Sequence, residues 1–417
     1  MVTLKFNRNA IEVAVAQGMV ASYIRTLETE TVPLIESVGR RLATDIFATH
    51  TVPHFTKSGM DGYAVRAEDV QGASSSKPIL LKVNQTIPCG VVPCLPVEHG
   101  QAAKIMTGAP LPSGADTVVM LELTEERRLG EETVVAILME VAKGRNVSAI
   151  GEEIQDHDFL LETGRKIYAG EAALLATFGF HQVPVYRKPK VAIFTTGSEL
   201  LDVDQPLELG KIRNSNQYML YSLVKESGGE IYAIESIPDN VAQAKEMVNQ
   251  TIGKADLIIT SGGVSVGDYD IIAQLFDEWN GKRLFNKIKM RPGSVTTAGI
   301  LDGKFVFGLS GNPGACFVGF ELFVRPVIYG VQGKKNPFLS SFNAYLGGDY
   351  TKGNEHTRFV RGESFIRDGK VYVRQVGKDQ SSVTLSIKDA NCLIVIPPGD
   401  GVMDGELVTA LRLYKPE

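Results

Sequence analysis

The sequence lacks the features that mark membrane, secreted and nucleic-acid-binding proteins. No apolar run approaches the ~18 residues of a membrane helix, and the start, MVTLKFNRNA, has neither the charged nor the apolar region of a signal peptide. We therefore expect a cytoplasmic protein with no membrane partner. The net charge of −5 argues against nucleic acid as a partner, because sequence-independent binding to phosphates needs a basic face.

Paired metal-binding motifs and common nucleotide-binding motifs are also missing. The four cysteines are scattered without CxxC spacing, so structural thiols are favoured over a zinc site. No stretch matches GxGxxG or GxxxxGK[ST], which disfavours a nicotinamide site and a P-loop NTPase. The chemistry must therefore lie in other patterns.

The length of the chain suggests roughly three domains. Helical and strand patterns along its first half also predict more than one domain. Amphipathic spacing predicts a helix over residues 7–29 and a second, short helix over residues 33–46. Residues 52–147 contain β-prone runs such as ILLKVNQTI and ETVVAIL between prolines and glycines, which is typical of an all-β segment. Residues 170–180 are predicted to be helical again.

From about residue 189, predicted strands and helices alternate. KVAIFTT, IYAIESI and ADLIITS are predicted strands, and NQYMLYSLVKES, VAQAKEMVNQTI and YDIIAQLFDEW are predicted helices. A TTAGILDGKFVFGL hairpin and a helix over residues 314–329 follow. This order predicts an α/β domain with a doubly wound, mostly parallel sheet and helices on both faces. Beyond residue 337 the chain is β-rich, which predicts a small barrel or sandwich.

Three loops rich in small residues follow strands of the predicted sheet. They are TTGSEL (195–200), TSGGVSVGDYD (260–270) and GLSGNPGA (308–315). One such loop alone is more often a tight turn that needs glycine. Because ligands of open α/β sheets bind beyond the carboxyl ends of the strands, three such loops predict one crevice. Each loop would expose backbone N–H groups at a helix start, which favours an anion.

Acidic residues occur in the loops that follow the same strands, at Glu199, Asp239, Asp268 and Asp270. A lone carboxylate at a helix start is usually a cap or a partner of the helix dipole. Several carboxylates around a crevice that favours phosphate indicate a hard cation such as Mg²⁺, which bridges protein carboxylates and substrate phosphates.

Basic residues alternate along the predicted strand NKIKMRPGS, at Lys287, Lys289 and Arg291. Alternation along a strand places these side chains on one face, which is then cationic. A solvated face is the simpler interpretation. Beside an anion site, substrate binding is slightly favoured.

Several long motifs occur along the chain in a defined order: SGMDGYAVR, TGAPLPSGADTVVM, GEEI, TTGSEL, NSNQYML, TSGGVSVGDYD, MRPG and GLSGNPGA. Together they resemble the molybdopterin molybdenumtransferase family, the MoeA type that also forms the C-terminal part of gephyrin. The resemblance implies four domains. These are a discontinuous linking domain (1–50 with 147–180), a β-rich domain (51–146), an α/β molybdopterin-binding domain (181–332) and a C-terminal β-barrel (333–417).

The resemblance also implies a substrate and a reaction. Molybdate is inserted into the dithiolene of adenylylated molybdopterin while the pyrophosphate bond to AMP is broken, and Mg²⁺ assists. Glu199, Asp239 and Asp268 resemble the acids at the metal and phosphate end of the family site. Lys287 and Arg291 resemble its cationic pair for phosphate or molybdate. Asp268 and this pair are therefore expected to be catalytic.

A homodimer with a composite active site is a further implication of the resemblance. Asp61 and Glu153 would complete the catalytic site from the partner subunit, and Arg361 with Ser381 or Ser382 would face the cleft. A molybdopterin adenylyltransferase is a candidate partner protein. Further substrate contacts are expected at residues of the same motifs, namely Thr107, Gly108, Thr196, Gly197, Ser198, Ser261, Gly262, Gly263, Ser310, Gly311, Asn312 and Pro313.

Two departures from the family pattern concern this site. Where many members have a lysine and a proline after the PG of MRPG, this chain has Ser294 and Val295, so one cationic contact is missing. Glu153 stands where an aspartate is common and is one methylene longer. We expect Asp270 to cap or support the following helix.

Two other functions compete with metal insertion. The closest is adenylylation of molybdopterin by a related α/β domain, although the additional domains and the MDGYAV motif favour insertion. The other is a scaffold that has lost catalysis, as the likeness to gephyrin permits. The presence of Glu199, Asp239 and Asp268 together counts against the scaffold. The sequence does not discriminate between molybdate and tungstate, which are tetrahedral dianions of the same charge.

Overall fold

The structure is a computed structural model, and it describes residues 9–237, 241–263 and 281–413. The chain divides into two compact units. The smaller unit comprises Asp45–Glu162 and Ala173–His181, and the larger unit comprises the rest of the chain. The finer division into four domains stays a prediction.

The helices and strands are as follows. The helices are α1 (Val13–Tyr23), α2 (Leu34–Ser37), α3 (Ala169–Thr177), α4 (Ser215–Glu226), α5 (Val241–Ile252), α6 (Pro313–Gly319), α7 (Arg325–Gly330) and α8 (Leu385–Asp389), with 3₁₀ turns at Ala67–Val70 and Leu121–Leu123 and a π-helical segment, Phe320–Val324, between α6 and α7. The strands are β1 (Thr29–Pro33), β2 (Ile46–Phe47), β3 (Lys57–Ser58), β4 (Gly62–Val65), β5 (Ile79–Ile87), β6 (Gln101–Ile105), β7 (Thr117–Met120), β8 (Thr124–Leu129), β9 (Glu132–Ile137), β10 (Val147–Ser148), β11 (Phe159–Leu161), β12 (Gln182–Tyr186), β13 (Lys190–Thr196), β14 (Leu200–Leu201), β15 (Ile212–Arg213), β16 (Glu230–Ile237), β17 (Leu257–Ser261), β18 (Lys282–Phe285), β19 (Met290–Arg291), β20 (Thr297–Leu301), β21 (Lys304–Leu309), β22 (Ser341–Leu346), β23 (Thr357–Arg367), β24 (Lys370–Gln375), β25 (Cys392–Ile396) and β26 (Leu407–Arg412).

A six-stranded sheet with the order β16-β13-β17-β21-β20-β18 lies in the larger unit. Strands β16, β13, β17 and β21 are parallel, whereas β20 is antiparallel to both of its neighbours. The predicted mostly parallel sheet and the hairpin at Asp302 and Gly303 are therefore confirmed. The predicted helix YDIIAQLFDEW lies outside the described residues.

Strand β13 shows why the sheet carries helices on both faces. Its central residues Val191–Phe194 are apolar, and every residue after Lys190 is buried, which is typical of a strand covered on both sides. Val191 and Ile193 lie in a core that includes residues of α1, α4 and α6. Ala192 and Phe194 point the other way, into a core with α5. This alternation confirms the doubly wound arrangement.

The C-terminal β-rich segment is a closed barrel rather than a sandwich. Five strands follow the order β23-β24-β22-β26-β25, and β25 pairs again with β23 to close the ring. Inward-facing residues such as Leu346, Val360 and Ile394 fill its core. The short strand β19, which comes from the α/β part of the chain, pairs with β23 from outside the ring.

The smaller unit contains a second six-stranded sheet, with the order β7-β4-β6-β5-β9-β8. Strand β4 is buried on both faces, because Tyr63 and Val65 pack in one core and Ala64 packs in another. The β-prone runs ILLKVNQTI and ETVVAIL form β5 and β9, as predicted. The edge strand β8 is rich in charged residues, and nearly all of its residues are exposed. Its sequence therefore shows no alternation of apolar and polar residues from which a strand could be predicted.

The two helix predictions nearest the N-terminus are wrong in their extent. Helix α1 ends at Tyr23, because Ile24 has an extended backbone (φ −66°, ψ 125°). Of the predicted helix 33–46 only the four residues of α2 are helical. The backbone beyond α2 pairs with a distant segment instead. Gly39 donates to the carbonyl of Ile167 (2.8 Å), and such long-range pairing overrides local helical spacing.

None of the described helices is both long enough and apolar enough to span a membrane.

Candidate active site

Three loops at the carboxyl ends of β13, β17 and β21 line one cavity of ≈ 540 Å³, here called the first cavity. These strands are parallel neighbours, so their ends meet at the same edge of the sheet. The single crevice predicted from the glycine-rich loops is therefore present. Its lining includes the predicted contacts Thr196, Gly197, Ser261, Gly262, Gly263, Ser310, Gly311, Asn312 and Pro313. Their role in substrate binding stays a prediction, as does that of the exposed Ser198 in the same loop.

Two asparagines at the start of α4 complete the first cavity, and they are not among the site residues predicted from the sequence. Asn216 Nδ2 donates to the Ser261 hydroxyl (2.7 Å) and to the Gly311 carbonyl (2.8 Å), so it ties two of the loops together. Asn214 caps the helix by accepting from the backbone N–H of Gln217 (3.3 Å). The signal was visible as asparagine at a helix start, in NSNQYML.

Gly262 allows two of the loops to approach closely. Its φ of +89° lies in the left-handed region, and a Cβ atom there would lie 2.6 Å from both the carbonyl oxygen and the hydroxyl of Thr196. Its own N–H donates to the Leu309 carbonyl (3.0 Å). Glycine is therefore required at this point of the cavity wall.

One expectation for the third loop is wrong. The backbone N–H groups of Gly314 and Ala315 at the start of α6 donate to the carbonyl oxygen of Ser381, at 2.8 and 3.3 Å. The C-terminal domain thus occupies these donors, which are not exposed to an anion as predicted. Ser381 takes part in this contact through its backbone carbonyl group.

A second cavity of ≈ 530 Å³ adjoins the first, since both are lined by Val295, Ser310 and Asn312. Its other lining residues come from the MRPG segment and from the C-terminal domain. They are Arg291, Pro292, Gly293, Ser294, Ala315, Arg358, Asp379, Gln380, Ser381 and Ser382. The second cavity therefore brings Arg291 together with Ser381 and Ser382 and adds Arg358. The substrate-binding roles expected for Arg291 and Ser381 stay predictions.

The basic face predicted along NKIKMRPGS is present in part. Ile288 and Met290 are buried, whereas Lys287 and Lys289 are partly exposed and Arg291 is exposed. Met290 and Arg291 form the short paired strand β19, and Ile288 forms an isolated bridge with Ile11. Arg291 lines the second cavity, and Lys287 is not among the lining residues of either cavity.

Arg361 lies beneath the second cavity rather than on its surface, contrary to the expectation that it faces the cleft. Arg361 is buried, with 2% of its surface accessible to solvent. Its Nε donates to the Ser386 hydroxyl (2.7 Å) and its Nη2 to the Gln380 carbonyl (2.9 Å). Burial lowers the pKa of the guanidinium, and Nη1 has no hydrogen-bond partner among the described residues. Arg361 thus supports the loop that carries Ser381.

Of the four acidic residues predicted around the crevice, one lies within the described residues. Glu199 is exposed and lines the first cavity. Asp239, Asp268 and Asp270 lie outside the described residues. Within residues 9–237, 241–263 and 281–413, no three acidic, histidine or cysteine side chains form a metal-binding group. The magnesium site therefore stays a prediction.

In the smaller unit, Asp61 is held by Thr107. The Thr107 backbone N–H (2.7 Å) and hydroxyl (2.8 Å) both donate to Asp61 Oδ1. These two hydrogen bonds, the backbone one first, lower the pKa of Asp61 below its ordinary value. Gly108 follows in the same turn, where its N–H donates to the Ser58 carbonyl (2.8 Å). Glu153 is exposed on another loop. The predicted contact between these residues and a partner subunit is untested.

We expect the Thr107→Val variant to raise the pKa of Asp61 while leaving it below the ordinary value. Valine removes the hydroxyl hydrogen bond but keeps the backbone one, so part of the stabilisation of the carboxylate is lost. An NMR titration of the Asp61 carboxyl carbon measures this change. Thr107→Ser is the matched control, since it keeps the hydroxyl. A pKa that is the same in the valine variant and the parent would contradict the assignment.

Comparison with known proteins covers almost the whole chain. Three family descriptions match in order: the MoeA N-terminal region (domain I and II) at residues 11–179, a probable molybdopterin binding domain at 192–330, and the MoeA C-terminal region (domain IV) at 343–413. The molybdopterin molybdenumtransferase of Bacillus subtilis (strain 168) is 42% identical over 407 residues, 97% of this chain and 95% of that protein.

Other relatives agree. The molybdopterin molybdenumtransferase of Staphylococcus aureus (strain COL) is 41% identical over 392 residues, 94% of this chain and 93% of the relative. The crystal structure of the molybdopterin biosynthesis moeA protein from Pyrococcus horikoshii OT3 superposes with a TM-score of 0.82 at 30% identity and covers 97% of this chain and 100% of that chain. The chain therefore belongs to the MoeA family of molybdopterin molybdenumtransferases, which are transferases of molybdenum cofactor biosynthesis.

Proposed function

We propose that this protein inserts molybdate into adenylylated molybdopterin and releases AMP. The structural observation that carries the proposal is the pair of adjoining cavities. The first cavity is lined by small polar loops at strand ends, and the second contains two arginines. A substrate with a pyrophosphate bridge and an oxoanion co-substrate need neighbouring sites of these two kinds.

The chain's own residues position the reactants and stabilise charge. The hydroxyl groups of Ser261 and Ser310 in the lining of the first cavity are donors suited to phosphate oxygens. Arg291 supplies a cation for phosphate or molybdate in the second cavity. The small co-substrate is thereby held next to the adenylylated pterin, and proximity of this kind accounts for a large share of catalysis.

We also propose Mg²⁺ as the cofactor, held by Glu199 together with Asp239 and Asp268. The donors that the first cavity offers, the Glu199 carboxylate and several hydroxyl groups, are oxygens, the class that Mg²⁺ prefers. When bound, the ion would neutralise negative charge on the phosphates.

A homodimer with a composite site is part of the same proposal. Asp61 and Glu153 of the partner subunit would then complete the catalytic residues of the larger unit. The exposure of both side chains is compatible with this role. We place the protein in the cytoplasm, with a molybdopterin adenylyltransferase as the partner that supplies the adenylylated substrate.

The experiment is a defined reaction with purified protein, adenylylated molybdopterin, molybdate and Mg²⁺. We expect release of AMP and activation of an apo-molybdoenzyme, loss of both when EDTA removes the cation, and recovery when Mg²⁺ is returned. Absence of AMP and of activation would refute the proposal. A second reaction with molybdopterin and ATP tests adenylylation. Adenylylated product in that reaction would favour the sibling activity.

A further inference from the structure

We propose that Arg358 is a binding residue for a tetrahedral oxoanion in the second cavity and that Asp379 is the residue that positions it. The inference rests on the proposed function and assigns a further contact in the same site. Neither residue lies in one of the motifs that predict the site from the sequence.

The pairing of β19 with β23 places Arg358 directly beside Arg291. In this parallel ladder the Cα atoms of Arg291 and Arg358 are register partners, and both residues line the second cavity. Like charges at facing positions of neighbouring strands are unfavourable when nothing lies between them. An anion bound between the two guanidinium groups would remove this repulsion.

Asp379 fixes the Arg358 guanidinium at the cavity wall. Arg358 Nη2 (2.9 Å) and Nε (3.2 Å) both donate to Asp379 Oδ2, and the Tyr350 hydroxyl donates to the same oxygen (2.5 Å). The Asp379 side chain is 3% exposed, whereas that of Arg358 is 15% exposed. Oδ2 of the carboxylate therefore accepts from both residues, while the guanidinium of Arg358 lines the cavity and retains Nη1, which is not used in these bonds.

The charge around the second cavity remains positive after this pairing. Arg291, Arg358 and Arg361 contribute three positive charges, and Asp379 contributes one negative charge. No carboxylate pairs with Arg291 in the part of the chain that the structure describes. Ser294, at the position where family members often have lysine, adds no charge to this wall. Arg358 is thus suited to supply the contact that Ser294 does not.

The simpler alternative is that Arg358 and Asp379 form a structural ion pair with no ligand. Such a pair affects stability, and it does not change how the rate depends on the concentration of an oxoanion. Steady-state kinetics therefore distinguishes a structural ion pair from an oxoanion-binding residue, because the Michaelis constant and the turnover number are measured independently.

The experiment measures AMP release by Arg358→Ala, Arg358→Lys and a matched control, Arg374→Ala. Arg374 lies on the neighbouring strand β24 of the same barrel, pairs with Glu363 (2.7 Å) and is outside both cavities. We expect Arg358→Ala to raise the Michaelis constant for molybdate or for the adenylylated pterin about tenfold or more, because the variant lacks a charge-assisted hydrogen bond to the oxoanion. The turnover number should change much less, the lysine variant should restore part of the loss, and the control should resemble the parent.

A separate variant, Asp379→Asn, tests whether Asp379 positions Arg358. Asp379→Asn keeps the side-chain size and a carbonyl acceptor for Tyr350 but weakens the hold on Arg358. We expect it to raise the same Michaelis constant by a smaller factor than Arg358→Ala. A lower unfolding temperature with unchanged Michaelis constants would overturn the positioning role.

Two substrates are titrated, because the oxoanion can be free molybdate or a phosphate of the adenylylated pterin. An increase confined to molybdate identifies the free oxoanion, and an increase confined to the adenylylated substrate identifies the phosphate. Unchanged values for both would overturn the inference. If the parent releases no AMP, the proposed function fails, and calorimetric titration with molybdate alone then decides the inference. Equal affinity of the parent and Arg358→Ala for molybdate overturns it, and weaker binding by the variant supports it.

Discussion

The Gly262→Ala variant is expected to lose about 100-fold or more of its AMP-releasing turnover, since misplacement of reacting groups by about 1 Å has effects of this size. The added methyl group would lie 2.6 Å from the carbonyl and hydroxyl oxygens of Thr196, so the β13 and β17 loops must separate. Those two loops, with the Ser310–Pro313 loop, form the wall of the first cavity. The damage is therefore concentrated on the substrate-binding geometry.

Gly303→Ala is the matched control for this variant. Gly303 also has a positive φ (+76°) and lies in the β20–β21 hairpin of the same sheet, but a Cβ atom there meets no atom within 4 Å. Both variants carry the backbone strain of alanine in the left-handed region, roughly 1–2 kcal/mol. Only Gly262→Ala adds the collision. Equal loss of turnover in the two variants would show that strain, and not the cavity wall, determines the effect.

The α/β core was predictable because its signals are local. β13 and β17 are short runs of apolar residues buried on both faces, and the intervening helices have clear amphipathic spacing. Once the strands are assigned, the rule that their carboxyl ends share one edge brings the Thr196, Ser261 and Ser310 loops together. The first cavity follows from this rule without knowledge of any side-chain contact.

The second cavity depends on information that the local sequence does not contain. Arg358 and Arg291 are 67 positions apart and meet only because β19 leaves the α/β domain to pair with the barrel strand β23. The same holds for the Gly314 N–H, whose acceptor is the Ser381 carbonyl and not a ligand. Periodicity reports which face of an element is buried, but it does not report the register between distant strands.

The helix predicted over residues 33–46 illustrates the opposite error, in which a local signal was present and long-range pairing prevailed. Its spacing is helical, yet Gly39 and Leu42 form backbone hydrogen bonds with Ile167 and Arg165 (2.8 and 3.0 Å). The resemblance to the MoeA family, by contrast, used long motifs that do not depend on secondary structure. It therefore identified the family correctly although the helix boundaries were wrong.

The Arg325→Leu variant is expected to have the largest effect on stability, a loss of roughly 3–5 kcal/mol, the range found when one partner of a buried ion pair is removed. Arg325 Nε and Nη2 form a bidentate pair with the Glu321 carboxylate (2.6 and 2.7 Å), and both side chains are 2% exposed. Its Nη1 also donates to the Ser227 hydroxyl (2.8 Å). The variant leaves the Glu321 charge buried without this partner, and urea unfolding followed by circular dichroism measures the loss.

The double variant Glu321→Leu/Arg325→Leu separates the pair interaction from the loss of packing. Replacing both members of a buried pair by apolar side chains is often neutral, because the desolvation of two charges is removed together with their attraction. We therefore expect the double variant to regain most of the stability that Arg325→Leu loses. If the double variant is as unstable as the single one, the arginine stabilises α4 and α7 chiefly through packing and its bond to Ser227. Recovery would instead assign the loss to the Glu321 carboxylate of the π-helical segment, which no longer has Arg325 as its partner.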